Sequence, residues 1–322
     1  MTSFGLDLNQ GIQKVHLKKS YRLGGLFIFL SILISFLLNH AVLELEVYLL
    51  GFIPVFFIGF LEDVYKENPV SLRLTLILIS STIIVLGSGS IILDADLKFF
   101  NAFLQIPFMP YFFTIIGITV TANSWNLIDG LNGVSSGLSS IVLFLIGYLA
   151  YNENLLFINN IAWLFASATL GFFLVNILTG RVFLGDSGAL TIGAVIGWTG
   201  VELATKINNV STWVVFFIII YPAIEIIFSF FRRLSNRKSP TKADNLHLHS
   251  LLYFYLRKKF FEKHENSISG LLIVFLSSLP SAFIYFYGLN YINAIIGTFV
   301  FTFFYLLIYY YLFKFRKKFI LV

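Results

Sequence analysis

The sequence contains no cysteine and few charged residues, and both shortages limit what the protein can be. Without cysteine it has no disulfide, thiolate metal site or cysteine nucleophile, so its chemistry rests on carboxylate, amide, imidazole and guanidinium groups. Charged residues make up 12% of the 322 residues and hydrophobic residues 58%, against roughly 25% and 45–50% in soluble domains. With a mean hydropathy of +0.87, this composition excludes a water-soluble globular protein.

Long apolar runs recur from residue 24 to the end of the chain. Each is long enough to cross a hydrocarbon layer of about 30 Å as a helix. We therefore predict an all-α, polytopic integral membrane helix bundle, folded as one domain over residues 1–322, with about ten transmembrane helices. The predicted spans are residues 24–40, 45–61, 71–93, 107–124, 135–151, 157–178, 188–205, 212–231, 268–287 and 290–313.

The basic residues predict the orientation of these spans. With both termini in the cytoplasm, 20 of the 22 basic residues lie in inner loops or flanks, and only Lys98 and Lys206 lie outside. This asymmetry is what the positive-inside rule requires. The net charge of +6 is thereby explained by the membrane, and no nucleic-acid partner is expected. The predicted inner loop at about 232–267 is the longest and is expected to be functional.

Glu225 is an acidic residue predicted to lie well within a span, at 212–231. An ionisable group at that depth needs a partner or a water-filled cavity. We expect a supporting or packing role near the inner surface rather than a proton relay.

Four predicted inner loops contain unusual clusters of polar residues next to glycines. A single cluster has an ordinary interpretation as a helix cap or turn, but four on one face of the membrane favour a functional site. The clusters lie at residues 59–64 with Arg73 downstream, at 123–133, at 180–188 and at 244–249.

The second cluster has the spacing of a ligand set. Asn123, Asn126 and Asp129 recur every three residues, so a helix that continued to their end would place them on one face. Amide and carboxylate oxygens suit Mg²⁺, which takes few protein ligands together with water and substrate phosphates. Asp186 lies between Gly185 and the pair Ser187-Gly188. We expect it on a tight turn whose N–H groups can approach an anion. Positive charge for phosphates would come from Arg73, Arg181, His247 and His249.

The motifs resemble those of a known family. The sequence NSWNLIDGLNGVSS at 123–136, FLGDSGAL at 183–190 and the run RR…SP…ADNLHLHSLLY at 232–253 are similar to the polyprenyl-phosphate N-acetylhexosamine-1-phosphate transferases. HLKKSYRLGGLFIFL at 16–30 also resembles the family's early basic segment. The family includes enzymes that initiate peptidoglycan, teichoic acid and O-antigen assembly, and its motif order agrees with the topology predicted above.

The resemblance implies a reaction and a cofactor. A polyprenyl phosphate, undecaprenyl phosphate in bacteria, would attack the β-phosphate of a UDP-N-acetylamino sugar and release UMP, with Mg²⁺, or Mn²⁺ in its place. Phosphoryl transfer depends mainly on positioning and charge neutralisation. By resemblance, Asn126 and Asp186 would hold the metal, and Asn123 and Asp129 would order the cluster.

The remaining implied roles concern the two substrates. Asn132 would lie near the uridine, while Arg73, His247 and His249, with help from Arg181, would bind phosphates. Glu62 and Asp63 correspond to the family's paired aspartates, one of which is proposed as the base or orienting group for the polyprenyl phosphate.

The chain departs from the family's pattern at several positions. Glu62 replaces the first aspartate of the pair, which moves the carboxylate by about one methylene, and Asn132 replaces a second aspartate. Ser250 stands where many relatives have a third histidine. The family usually has a further span before the basic segment, and residues 1–22 supply none.

Three classes of function follow. The first is a transferase in the bacterial cytoplasmic (inner) membrane, with a cytoplasmic cleft, that initiates a surface polysaccharide such as O-antigen or capsule. Its donor sugar is GlcNAc, GalNAc, QuiNAc or FucNAc, and the family offers a precedent for a homodimer. A catalytically inactive family member is the second, made conceivable by Glu62 and Asn132. The third is a secondary transporter, which would concentrate its polar residues near the midplane.

Overall fold

The computed structural model describes residues 6–7, 20–38, 46–65, 69–237, 239, 244–260 and 264–320. Within these ranges the chain forms thirteen helices and three short strands. The helices are α1 Gly24–Leu38, α2 Glu46–Tyr65, α3 Val70–Ser88, α4 Lys98–Leu104, α5 Met109–Ile128, α6 Val134–Asn152, α7 Leu156–Thr179, α8 Gly185–Lys206, α9 Thr212–Ile218, α10 Ile220–Ser235, α11 Leu248–Lys259, α12 Glu265–Tyr287 and α13 Tyr291–Ile320. The strands are β1 Leu6–Asp7, β2 Ser20–Arg22 and β3 Val182–Phe183.

The prediction of an all-α polytopic membrane protein agrees with this architecture. Each of the ten predicted spans contains a helix. Within the described ranges, six helices are long and apolar enough to cross a membrane, and up to eight if each of two bent helix pairs counts as one span. The count of ten therefore stays a prediction. Seven of the basic residues assigned to inner loops lie outside the described residues: Lys14, Lys18, Lys19, Lys66, Lys238, Lys242 and Lys263.

Two of the apolar segments are bent. The first bend follows residues 94–106, which lie between two predicted spans. This segment contains α4, which meets α5 at 109°. The predicted span 212–231 is broken at Ile219 into α9 and α10, which meet at 81°. Pro222 lies in the first turn of α10, where a missing N–H breaks no helical hydrogen bond. The break lets α10 run in its own direction toward the polar end of the bundle.

Helix α8 is the centre of the bundle. Its side chains are buried along nearly its whole length, and it packs against α5, α2 and α1. A Cβ added at Gly193 would lie 2.7 Å from the Ala122 Cα, so only glycine allows α5 and α8 to approach this closely. By contrast, most side chains of α13 are exposed, as expected for a lipid-facing helix.

The short strands bring the N-terminal segment to the start of α8. β2 pairs with β1 in antiparallel and with β3 in parallel orientation. The register places Arg22 opposite Phe183, and the Gly25 N–H donates to the Leu184 carbonyl at 2.8 Å. Arg22 is thereby held close to the first turn of α8.

Candidate active site at the converging helix ends

A cavity of about 660 Å³ opens where the ends of α2, α5 and α10 meet the beginnings of α3, α8 and α11. The four polar clusters of the sequence all contribute to its walls, so the structure brings them together as predicted. Eight of the eleven predicted site residues line it: Glu62, Arg73, Asn123, Asn126, Asp129, Asp186, His247 and His249.

Three of these residues lie at the end of α5 with the predicted spacing. The helix ends at Ile128 and Asp129 follows as its C-cap, so Asn123, Asn126 and Asp129 all reach the cavity. The Asn126 side-chain amide donates to Asp186 Oδ2 at 3.2 Å, which joins this cluster to the first turn of α8.

Asp186 lies between two arginines from distant parts of the chain. Arg22 Nη1 is 3.7 Å from its Oδ1, and Arg73 Nη1 is 3.7 Å from its Oδ2. Of these two arginines, only Arg73 was predicted from the sequence as a site residue. Only the pairing of β2 with β3 brings Arg22 here, and two- or three-residue strands give no sequence signal.

Glu62 and Asp63 have different surroundings although they are adjacent. Glu62 lines the cavity, whereas Asp63 is 1% exposed and turned toward α8. Asp63 accepts hydrogen bonds from the Asp186 N–H at 2.8 Å, the Ser187 N–H at 3.0 Å and the Ser187 hydroxyl at 2.7 Å. The N–H groups predicted to approach an anion thus bind the protein's own Asp63 carboxylate.

Close packing makes this contact between α2 and α8 feasible. A Cβ added at Gly59, one turn before Asp63, would lie 2.5 Å from the Ser187 N and Cα atoms. Asp63 therefore acts as a cap for the first turn of α8, where N–H groups have no intrahelical partner and negative charge is favoured.

The electrostatics around Asp129 indicate a surplus of negative charge. Burial, together with the neighbouring Asp186 and Asp63 carboxylates, raises the pKa of Asp129 to about 8, while Arg22 opposes the shift. A cation bound among these oxygens would relieve that repulsion.

The oxygens at this end of the cavity fit a hard metal ion. Within the described ranges, no cluster of three or more His, Cys, Asp or Glu side chains is arranged for a metal. Mg²⁺ needs no such cage, because it uses one or two carboxylates with water and substrate phosphates. Asn126, Asp129 and Asp186 match that donor set.

The two histidines that line the cavity stack on each other. Their ring centroids are 5.5 Å apart and the planes differ by 8°. Burial and the neighbouring His247 lower the pKa of His249 to about 4, so its ring is neutral at pH 7. His249 lies against Gly130, where an added Cβ would come within 2.2 Å of Nε2.

Two arginines and an aspartate hold the segment before α11. Asp244 accepts hydrogen bonds from Arg232 at 3.0 and 3.2 Å and from Arg233 Nε at 3.0 Å. Burial opposes ionisation of Asp244, but these arginine bonds prevail and hold its pKa below its usual range. Arg233 also lines the cavity. It belongs to the motif at 232–253, but it was not among the predicted site residues.

Three predicted residues do not line the cavity in the part of the chain that the structure describes: Asp63, Asn132 and Arg181. The Asn132 N–H donates to Asn266 Oδ1 at 2.7 Å and its side-chain amide donates to Ser267 Oγ at 3.2 Å. These bonds attach it to the first turn of α12. Arg181 is exposed. The substrate-binding roles predicted for Asn132 and Arg181 stay predictions.

Comparison with known proteins identifies relatives with a common activity. Residues 45–204, about half of the chain, match the model of glycosyl transferase family 4. Over 244 residues the chain is 27% identical to a probable undecaprenyl-phosphate N-acetylglucosaminyl 1-phosphate transferase of Bacillus subtilis (strain 168), covering 74% of this chain and 67% of the relative.

Two further relatives belong to the same group. The undecaprenyl-phosphate alpha-N-acetylglucosaminyl 1-phosphate transferase of Escherichia coli (strain K12) is 28% identical over 240 residues, which cover 71% of this chain and 64% of the relative. A phospho-N-acetylmuramoyl-pentapeptide-transferase of Clostridium botulinum (strain Eklund 17B / Type B) is 28% identical over 205 residues, covering 60% and 63%. The chain thus spans about two thirds of the length of these relatives.

The matched region contains α2, α3, α5 and nearly all of α8, which provide the acidic end of the cavity. The motifs, the family model and these relatives agree, and the chain belongs to the polyprenyl-phosphate N-acetylhexosamine-1-phosphate transferase family, glycosyl transferase family 4.

Proposed function

We propose that the protein transfers an N-acetylamino sugar 1-phosphate from a UDP-sugar to undecaprenyl phosphate. A phosphate oxygen of the lipid attacks the β-phosphorus of the nucleotide, the bond from that phosphorus to the bridging oxygen breaks, and UMP leaves. The products are undecaprenyl diphosphate-sugar and UMP. The main support is a single cavity that is lined by carboxylates, amides, histidines and arginines.

The proposed metal is Mg²⁺, held by Asn126 and Asp186 with Asp129 beside them. When bound, the metal neutralises charge on the diphosphate as the bridging oxygen leaves. Arg22 and Arg73 lie on either side of Asp186. Their guanidinium groups would bind the phosphates of the same diphosphate. The Asp63 cap would keep the Asp186 backbone in place throughout the reaction.

Glu62 is the proposed orienting group for the lipid phosphate, because it is the member of the acidic pair that faces the cavity. The adjacent wall is apolar and contains Val70 and Leu74 of α3, Val120 of α5, and Ile226 and Phe230 of α10. We assign the first isoprene units of the acceptor to this wall, because apolar side chains next to a polar site suit an amphipathic substrate. Arg233 and His247, which also line the cavity, would add positive charge or hydrogen bonds for phosphate.

The proposed location is a bacterial cytoplasmic membrane, with the active site and both termini on the cytoplasmic side. The asymmetry of the basic residues supports this orientation. The proposed donor is UDP-GlcNAc, since two of the relatives described above are named for N-acetylglucosaminyl transfer. The proposed pathway is the initiation of a surface polysaccharide, such as O-antigen or capsule, and a homodimer is the proposed assembly.

The transporter alternative has less support. Its polar residues should line a route near the bilayer midplane, whereas those of this cavity lie at helix ends. Glu225, an acidic residue predicted to lie within a span, is fully buried and bonded to His247.

The test is UMP release by purified, detergent-solubilised protein. The protein is mixed with Mg²⁺, undecaprenyl phosphate and, separately, UDP-GlcNAc, UDP-GalNAc, UDP-QuiNAc and UDP-FucNAc. We expect UMP and a lipid-linked sugar with UDP-GlcNAc, and no product from Asp186→Ala. Absence of UMP with every donor, from protein that retains a cooperative thermal transition, would support the inactive-member alternative.

A further inference from the structure

Glu225 is a fully buried carboxylate to which the reaction described above gives no role. It lies in α10 and accepts bonds from two other helices. Its Oε1 accepts from the Leu248 N–H at 2.7 Å, at the first residue of α11, and from the Tyr305 hydroxyl of α13 at 2.8 Å. Its Oε2 lies 2.9 Å from His247 Nδ1, and the Ser229 hydroxyl lies 3.1 Å from the same nitrogen. Glu225 thus connects α10, α11 and α13 behind the wall of the cavity.

These contacts determine which nitrogen of His247 carries a proton in the substrate-free protein. A carboxylate only accepts hydrogen bonds, so the nitrogen that faces it, Nδ1, is the one that donates. The other nitrogen, Nε2, lies 3.4 Å from Arg233 Nη2 and 3.8 Å from Asp244 Oδ1, which is beyond hydrogen-bonding distance. A guanidinium only donates, so Nε2 accepts in this state. The bond made at one nitrogen of a histidine commonly fixes the tautomer and orientation of the ring.

We infer that Glu225, supported by the Tyr305 hydroxyl, is a positioning residue for His247. Its carboxylate fixes the ring so that Nε2 stays beside Arg233 at the phosphate-binding end of the cavity. This inference rests on the proposed function, in which His247 binds phosphate. In the described part of the chain neither Glu225 nor Tyr305 lines the cavity, so both act through another residue. Tyr305 also lies beyond residues 45–204, the region that matches the family model.

The substitution Glu225→Gln tests this role with little change in shape. Glutamine retains one acceptor oxygen, which can keep the bonds from the Leu248 N–H and the Tyr305 hydroxyl. Its NH₂ group then faces His247 and donates, so Nδ1 becomes an acceptor and the proton moves to Nε2. There the N–H meets the Arg233 donor group, and the ring loses its fixed position.

The kinetic test measures kcat and KM separately for UMP release. We expect Glu225→Gln to lower kcat by about 10- to 100-fold, the usual effect of losing a buried hydrogen bond to a charged group. We expect KM for the UDP-sugar to change by less than about threefold, because the donor's contacts at the acidic end remain. Tyr305→Phe should have a smaller effect of about three- to tenfold, since Glu225 keeps its other two partners.

A double-mutant cycle shows whether Glu225 acts through His247. In a His247→Ala background, Glu225→Gln should lower kcat by less than about twofold further, because the residue that it positions is absent. Full additivity of the two effects would overturn the inference.

Two matched variants control for general damage to a buried helix. Glu202→Gln makes the same change at another fully buried glutamate, which contacts Trp198 and Lys206 of α8. Tyr309→Phe removes a buried hydroxyl one turn from Tyr305 that has no hydrogen-bond partner within the described ranges. Both should retain kcat within about twofold. A loss with Glu202→Gln as large as with Glu225→Gln would contradict a specific role.

A spectroscopic measurement separates this inference from the proposed function. The ¹⁵N spectrum of ring-labelled protein should show His247 protonated at Nδ1 in the wild type and at Nε2 in Glu225→Gln, with assignment by His247→Gln among the five histidines. This result would support the positioning role even if no donor gave UMP. Identical His247 signals in both proteins would overturn it, whatever the activity.

Discussion

The Asp63 side chain lies 2.7 Å from the Ser187 hydroxyl and 3.0 Å from the Ser187 amide nitrogen, which fixes the end of α2 to the start of α8. The neighbouring Glu62 instead faces the cavity. Two adjacent acidic residues therefore have separable roles, one in holding Asp186 in place and one in the cavity itself.

Asp63→Asn should damage stability and activity together. Asparagine keeps one acceptor oxygen, but its NH₂ group opposes the N–H donors at the start of α8. We expect the free energy of unfolding to fall by about 1–3 kcal/mol, the cost of leaving a buried donor unsatisfied, and kcat to fall because Asp186 shifts. Thermal unfolding followed by intrinsic fluorescence, together with UMP release, measures both effects.

Glu62→Gln should affect activity alone. The side chain is not part of the α8 cap, so the unfolding temperature should stay near that of the wild type. We expect kcat to fall by about 100-fold if Glu62 takes a proton from the lipid phosphate or orients it. A decrease below about threefold would exclude that role and leave an already ionised phosphate as the nucleophile.

The stability of the metal-free protein should decrease as the pH rises through about 8. The pKa of Asp129 in the folded state is raised to about 8, above its value of about 3.9 in an unfolded chain, so the fold favours the protonated form. Its contribution is fully present below about pH 4 and is lost as the pH rises through 8. Unfolding temperatures between pH 5 and 9 should fall less steeply for Asp129→Asn than for the wild type.

Mg²⁺ should reduce the same pH dependence. A divalent cation at Asn126, Asp129 and Asp186 would favour the ionised carboxylates, so adding Mg²⁺ should raise the unfolding temperature most at high pH. An equal rise in Asp186→Ala would argue against a site at these oxygens.

Removal of the metal should stop the reaction reversibly. We expect EDTA to abolish UMP release and excess Mg²⁺ to restore it. Asn126→Ala should raise the Mg²⁺ concentration for half-maximal activity by about 10- to 100-fold, the usual effect of losing one metal contact. Asn101→Ala is a suitable control, because the Asn101 side chain bonds to Asp94 and Ala95 away from the cavity. Its Mg²⁺ requirement should be unchanged.

Gly130→Ala should displace His249. An added Cβ would lie 2.2 Å from His249 Nε2, and the buried ring can avoid it only by moving away from the cavity wall. We expect kcat to fall by at least about tenfold, as positional errors of about 1 Å in a catalytic site can cost 100-fold. Gly117→Ala, on α5 with no atom within 4 Å of the added Cβ, should keep full activity. Equal activity of the two variants would show that the position of His249 is unimportant.

The sequence predicted well those features that depend on local periodicity. Apolar runs located a helix within each predicted span, and the three-residue spacing of Asn123, Asn126 and Asp129 placed them together at the end of α5. Long helices follow from hydrophobic segments, because a backbone in lipid must satisfy its own hydrogen bonds. The motifs also indicated the family, because each is a short continuous run of residues that can be read without knowing how the helices pack.

Only the tertiary structure showed which partners neighbouring and distant site residues contact. Consecutive residues on a helix point about 100° apart, so only the position of α8 shows that Asp63 is a cap while Glu62 faces the cavity. Arg22 reaches Asp186, 164 residues later, through strand pairing, and Tyr305 reaches Glu225 across 80 residues. Such contacts have no local pattern, because they depend on how whole helices pack. The sequence by itself therefore determined the membrane fold and the chemical groups of the site. The packing of the helices determined which partners each carboxylate contacts.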